Sequence, residues 1–123
     1  MCSSDLELGP DGSIRFDARL PRGGESYRAF RYPWQGTPHE PPLAALGRAA
    51  AGKALYVSWN GSTALAAWRL ETGRLATSLT PRATLAKRGF ETALPLPPHS
   101  TYAAAVALDS DGAELARTDV VTV

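Results

Sequence analysis

The sequence predicts an all-β chain built around a β-sandwich, and three observations carry that reading. Apolar residues alternate with others over short runs, as at Leu55, Val57 and Trp59 and again at Tyr102, Ala104, Val106 and Leu108, the period-two pattern of strands. Ten Pro and eleven Gly in 123 residues break the chain into many turns and therefore short elements. An apolar content of 44% supplies a real core within a length that suits one domain, or one domain and a piece of another.

The elements follow in order. DLELGPDGSIRFDARLP reads as a hairpin: Leu6 and Leu8, a Pro10-Asp11-Gly12 turn, then Ile14, Phe16 and Ala18 alternating with Arg15, Asp17 and Arg19. After Arg22-Gly23-Gly24, the run SYRAFRYPW alternates Tyr27, Ala29 and Arg31 with Arg28, Phe30 and Tyr32. Its four aromatics within eight residues are too many for a free surface strand, so this segment is expected to lean on something. The Pro-rich stretch around residues 36–42 holds neither helix nor ladder and reads as a linker between residues 1–35 and a body at 43–123.

Leu43–Arg48 is expected to be a strand turning back through Gly52, although its Leu and Ala content also suits a short helix. From Lys53 a strand runs to Trp59, and Asn60-Gly61 offers a tight turn because both residues tolerate positive φ. A returning strand over Leu65–Leu70 puts Ala66, Trp68 and Leu70 on one face, and Gly73 ends it. LATSL, RATLAK and FETALPL hold two or three further short strands, and Tyr102 heads the next. An Asp109-Ser110-Asp111-Gly112 turn leads to a last strand taking in Leu115 and Val120–Val123. Trp59, Trp68 and Tyr102 are the expected structural core.

Little in the sequence speaks of chemistry. Thirteen basic and twelve acidic residues leave a net charge of +1 without clusters, so neither nucleic acid nor an anionic membrane surface is an expected partner. No window nears the roughly 20 apolar residues of a membrane span, so no membrane insertion by this segment is expected. The lone Cys2 excludes an internal disulfide and a multi-cysteine metal site, and with no apolar segment before it a frayed terminus fits better than a lipid-bearing cysteine. His39 and His99 read as solvated loop residues. Asp109 and Asp111 fit a turn better than calcium, and PRGG lacks the spacing of a phosphate loop. Asn60-Gly61-Ser62 fits a glycosylation pattern that the turn already explains. Arg15, Arg19, Arg22, Arg28 and Arg31 read as exposed strand faces rather than an anion patch. No catalytic, cofactor-binding or metal-binding residue is expected, and no cofactor.

Leu96-x-Pro98-x-x-x-Tyr102, Trp59 at the end of an early strand, and the Asp-Ser-Asp-Gly turn together resemble fibronectin type III domains over residues 43–123. That likeness implies an Ig/fibronectin type III-like sandwich whose corner tyrosine packs inward and bonds upstream backbone. A narrower resemblance covers almost the whole chain. DGSIRFDARLP, SYRAFRYPWQGTP, YVSWNGSTALAAWRL, RGFETALPLP and YAAAVALDSDGAELA follow the order at the C-terminal end of arylsulfotransferase-like proteins. Ser62-Thr63-Ala64-Leu65 departs from the Ala-Thr-Glu-Val usual after the SWNG segment in one branch of them. The resemblance implies that residues 1–35 end a β-propeller and 43–123 are an appended, non-catalytic structural sandwich, with Phe30, Tyr32 and Trp34 as its inter-domain contact to the parent's propeller. Members of that family move a sulfuryl group from an aryl sulfate to a phenol through a propeller histidine, which neither His39 nor His99 matches. The parent is expected to be secreted or associated with the cell envelope. The alternative is a free-standing fibronectin-like module binding protein or carbohydrate. An enzyme in its own right is the third reading, and no activated nucleophile favours it.

Overall fold

A computed structural model describes residues 4–25 and 30–123, and every helix or strand among them is a strand, paired antiparallel. The chain is all-β. It divides into two compact units, Met1–Pro33 and Trp34–Val123.

The first unit is a two-stranded hairpin of β1 (Ser4–Leu8) and β2 (Ile14–Arg19). Its turn closes where Gly9 N–H donates to Ser13 O (2.7 Å) and the Asp11 carboxylate accepts from Ser13 N–H (3.1 Å) and Oγ (2.6 Å). The register slips once, with Leu8 opposite Ile14 but Glu7 opposite Phe16. That bulge at Arg15 adds a residue to β2 and breaks the expected alternation, because consecutive β1 residues point to opposite faces. Leu6, Leu8 and Ile14 therefore share one face, and Phe16 lies on the other with Glu7. Arg31 joins that second face, ion-paired with Glu7 (3.0 Å) and stacked over the Phe16 ring at 5.2 Å. The strand expected in SYRAFRYPW is not present over its described part, since Phe30–Trp34 has no ladder. Tyr27, Arg28 and Ala29 lie outside the described residues.

The second unit is the sandwich. One sheet orders β3 (Leu43–Ala49), β4 (Gly52–Ser58) and β7 (Thr92–Pro95). The other runs β6 (Ser78–Ala86), β5 (Ala67–Leu75), β8 (Tyr102–Leu108), with β9 (Glu114–Arg117) and β10 (Val121–Thr122) both pairing the far side of β8. Between the layers lie Leu55, Val57, Trp59, Leu65, Trp68, Leu70 and Leu94 with Ala103, Ala105 and Ala107. The three alanines keep the central strand β8 slim on its inner face, which leaves volume for the two indoles. Full burial of large side chains such as Trp68, Leu55 and Leu94 contributes on the order of 1.5–3 kcal/mol each.

Leu43–Ala49 is a strand and not a helix, hairpin-paired to β4 through Ala49 and Gly52. Asn60-Gly61 differs from expectation. β4 and β5 sit in different sheets, so Trp59–Ala66 crosses the sandwich instead of closing a hairpin, with Gly61 at φ 96°. Nor does Gly73 end β5. The strand continues to Leu75 through a register shift, and a Cβ on Gly73 would stand 2.2 Å from the Ser78 carbonyl oxygen. Of the two or three strands expected in residues 75–95 the structure has two, β6 and β7.

The last strand is split in two. Thr118 interrupts it and takes over its ladder: Thr118 N–H donates to Ala105 O (2.9 Å), and Ala105 N–H donates to Thr118 Oγ1 (3.0 Å). The Pro-rich segment is strapped to this unit. Gly36 O accepts from Thr63 N–H (3.0 Å), Glu40 O accepts the Trp59 indole N–H (2.8 Å), and Pro42 is fully buried.

Candidate functional site

Three surface features stand out once the elements are in place. The first is aromatic. In the hairpin unit, Phe30 and Tyr32 stack with ring centroids 6.1 Å apart and an interplanar angle of 23°. They are 68% and 74% exposed. In the sandwich unit Trp34 is 68% exposed, and its ring edge lies where a Cβ on Gly36 would stand, 2.5 Å from Cη2. Glycine at 36 is what lets that indole edge come so close to the strap. These are large apolar surfaces left open to water.

The second feature is an ion network on the outer face of the β5–β8–β9 sheet. Arg69, Val106 and Arg117 share one row across these strands. Glu71 is buried and bridges both guanidinium groups: Oε1 accepts from Arg69 Nε (3.2 Å) and Nη2 (3.0 Å), and Oε2 pairs with Arg117 Nη1 (2.9 Å). Glu114 also pairs with Arg69. That hydrogen bond, ahead of the guanidinium's charge, holds the Glu114 carboxyl below the ordinary carboxylate value. The same bond, then that to Glu71, raises the Arg69 guanidinium above its own. Val106 and Ala104 are fully buried on β8 although they alternate with the inward alanines. Val106 stands between Arg69 and Arg117 in the row, and long arginine stems are the side chains suited to covering an apolar neighbour there.

The third is a groove at the β3–β4 end lined by Leu46, Gly47, Arg48 and Lys53. Arg48 and Lys53 stand directly opposite in the ladder. The Tyr56 ring lies over Gly47, where a Cβ would come within 2.6 Å of it, and its hydroxyl donates to Arg48 O (3.0 Å).

Trp59 and Trp68 lie in the core cluster, whereas Tyr102 is half-buried at the head of β8. His39 and His99 are exposed, His99 with φ 64° in the corner before β8. Asp109 works as a turn residue: its Oδ1 accepts from Asp111 N–H (2.9 Å) and Ala113 N–H (2.8 Å). Among the described residues no three His, Cys, Asp or Glu side chains converge as metal ligands, and no helix is long and apolar enough to cross a membrane.

Sequence reading missed the Glu71 bridge and the Thr118 splice. The signal for the first was present in Trp68-Arg69-Leu70-Glu71, where two opposite charges fall on the same face of a strand whose other face is apolar. The second had none, because a threonine in a strand is ordinary. The chain matches no protein-family model, no curated protein and no solved structure.

Proposed function

We propose that this chain is the non-catalytic C-terminal part of an arylsulfotransferase-like protein, with residues 34–123 serving as a structural sandwich of fibronectin type III type. The observation that carries the reading is the first unit. It is a lone hairpin whose Leu6, Leu8 and Ile14 share a face and stay open, and the same unit leaves Phe30 and Tyr32 open as well. Two strands alone are marginally stable in water, and a third strand or a packed layer is what makes such a hairpin hold. A blade of the parent's propeller supplies both. For the sandwich, β6 pairs β5 and not β7. In the constant-type Ig arrangement the fourth strand lies beside the fifth, so the fibronectin type III reading is the better of the two. In the whole protein Phe30, Tyr32 and Trp34 make the contact between propeller and sandwich.

The test begins with the coding frame upstream: continuation through several hundred residues of repeated short strands supports the reading, and a stop codon just before Met1 overturns it. In the longer protein, Trp34→Ser should release the sandwich in limited proteolysis without lowering its own melting temperature. Incubation of this chain alone with an aryl sulfate and a phenol should give no transfer. The alternative, a free-standing binding module, draws on the groove at Leu46, Gly47, Arg48 and Lys53 and is the reading that the upstream stop codon would favour.

A further inference from the structure

A sandwich has open sheet edges, and each must be kept from pairing with another chain. Three edges of this one carry a device that does so. β6 contains Pro81, which has no N–H to offer, and its pairing with β5 shifts register twice. β7 is only four residues long and ends at Pro95. The β9/β10 edge is broken at Thr118, whose own backbone and side chain turn back onto Ala105. β3 carries none of these; its cover is the Tyr56 ring over Gly47, and the Tyr56 hydroxyl holds Arg48 O and must give it up for a second strand to pair there. β3 runs seven residues in unbroken register with β4, from Leu43↔Ser58 to Ala49↔Gly52, and its one charge is Arg48. Leu43 is 71% exposed, and Leu46, in the middle of the strand, is 43% exposed.

We propose that β3 is a dimerisation edge, pairing antiparallel with β3 of a second copy about a two-fold axis at Leu46, so that two three-stranded sheets become one of six. The sequence LAALGRA suits this pairing with itself. Centring on Leu46 sets the two copies of that leucine face to face and covers apolar surface that a single copy leaves open. Ala45 then opposes Gly47 of the second copy, and Leu43 opposes Ala49. Arg48 opposes Ala44, so no like charges meet across the axis, which is the condition that most often forbids a homotypic edge. Small side chains at Ala44, Ala45, Gly47 and Ala49 allow the two backbones to close to strand spacing. Pro41 and Pro42 stop the ladder from growing past Leu43, and the two-fold axis uses the β3 edge of both copies at once, which makes the contact a closed, isologous pair instead of an open fibre.

Charge-swap variants of the full 123-residue chain test this in analytical ultracentrifugation from micromolar to near-millimolar concentration. Wild type should approach twice the chain mass as concentration rises. Leu46→Lys and Leu46→Glu, each placing like charges on the axis, should each weaken association by at least about tenfold. An equimolar mixture of the two should restore it. If a position-46 variant fails to melt cooperatively, Ala45→Lys, on the exposed outer face beside the axis, replaces it. Its two lysines lie on one face across the axis, and the same loss is expected. A wild type that stays monomeric throughout overturns the proposal. So does a dimer that ignores these substitutions yet is lost on Ile14→Lys, because the hairpin face would then be the contact.

Discussion

Thr118→Val isolates one hydroxyl. The substitution keeps the volume and the β-branch and removes only Oγ1, the acceptor for Ala105 N–H at 3.0 Å and the donor to Asp119 O at 2.9 Å. Ala105 is fully buried on the central strand, so its N–H has no water to turn to. An unsatisfied buried donor costs about 1–3 kcal/mol, and the lost bond to Asp119 adds about 0.5–1.5 kcal/mol of its own. A total near 2–3 kcal/mol follows. For a unit of about 90 residues, each kcal/mol moves the melting temperature by about 4–8 °C, so a drop of about 8–24 °C is expected. Thr118→Ser is the control. It keeps the hydroxyl, loses one methyl, and should cost only about 0.8 kcal/mol. Thermal melts and urea midpoints of the three proteins, with hydrogen exchange at Ala105, supply the readout. A valine variant as stable as wild type, or a serine variant less stable than the valine one, would refute the idea that this side chain completes the ladder.

Two further outcomes can be checked alongside it. The hydrogen bond from Arg69 lowers the Glu114 carboxyl in the folded state, so the unfolded chain binds the proton more readily. Stability from this pair is therefore complete above the ordinary value of 4.5 and is lost as pH falls through the lower folded value. Glu114→Gln should shrink the difference in melting temperature between neutral and acid pH, and an unchanged acid limb would contradict the assignment. Trp68→Ala removes a fully buried indole at the centre of the core and should cost about 3–5 kcal/mol, read as loss of the cooperative urea transition or a large shift in its midpoint.

The strands were legible where local pattern and tertiary environment agree. Leu55, Val57 and Trp59 alternate because one face of β4 meets the core, and Leu43–Ala49 is extended although leucine and alanine favour helix, because a ladder with β4 outweighs propensity at that length. Asn60-Gly61 misled because a tight turn and a crossing loop ask the same of the backbone, namely positive φ at Gly61. Which sheet the next strand joins is a long-range matter, decided by its pairing with β8, where Trp68 and Leu70 stand opposite the small Ala107 and Ala105. The bulge at Arg15 was hidden for a similar reason. Ile14 and Phe16 keep perfect alternation in the sequence, and only the pairing with Glu7 and Leu8 sends them to opposite faces. Of the surface features, the open aromatics could be listed from composition, whereas the Glu71 bridge needed Arg117, which lies far along the chain.

That bridge has an electrical consequence. Arg69 and Arg117 interleave with Glu71 and Glu114 within one patch, two positive and two negative groups at close quarters. Their charges sum to zero, so beyond a Debye length of about 8 Å these four groups together add little to the field that an approaching ion or charged macromolecule meets. It is a surface made of charge that behaves, at a distance, as though it had none.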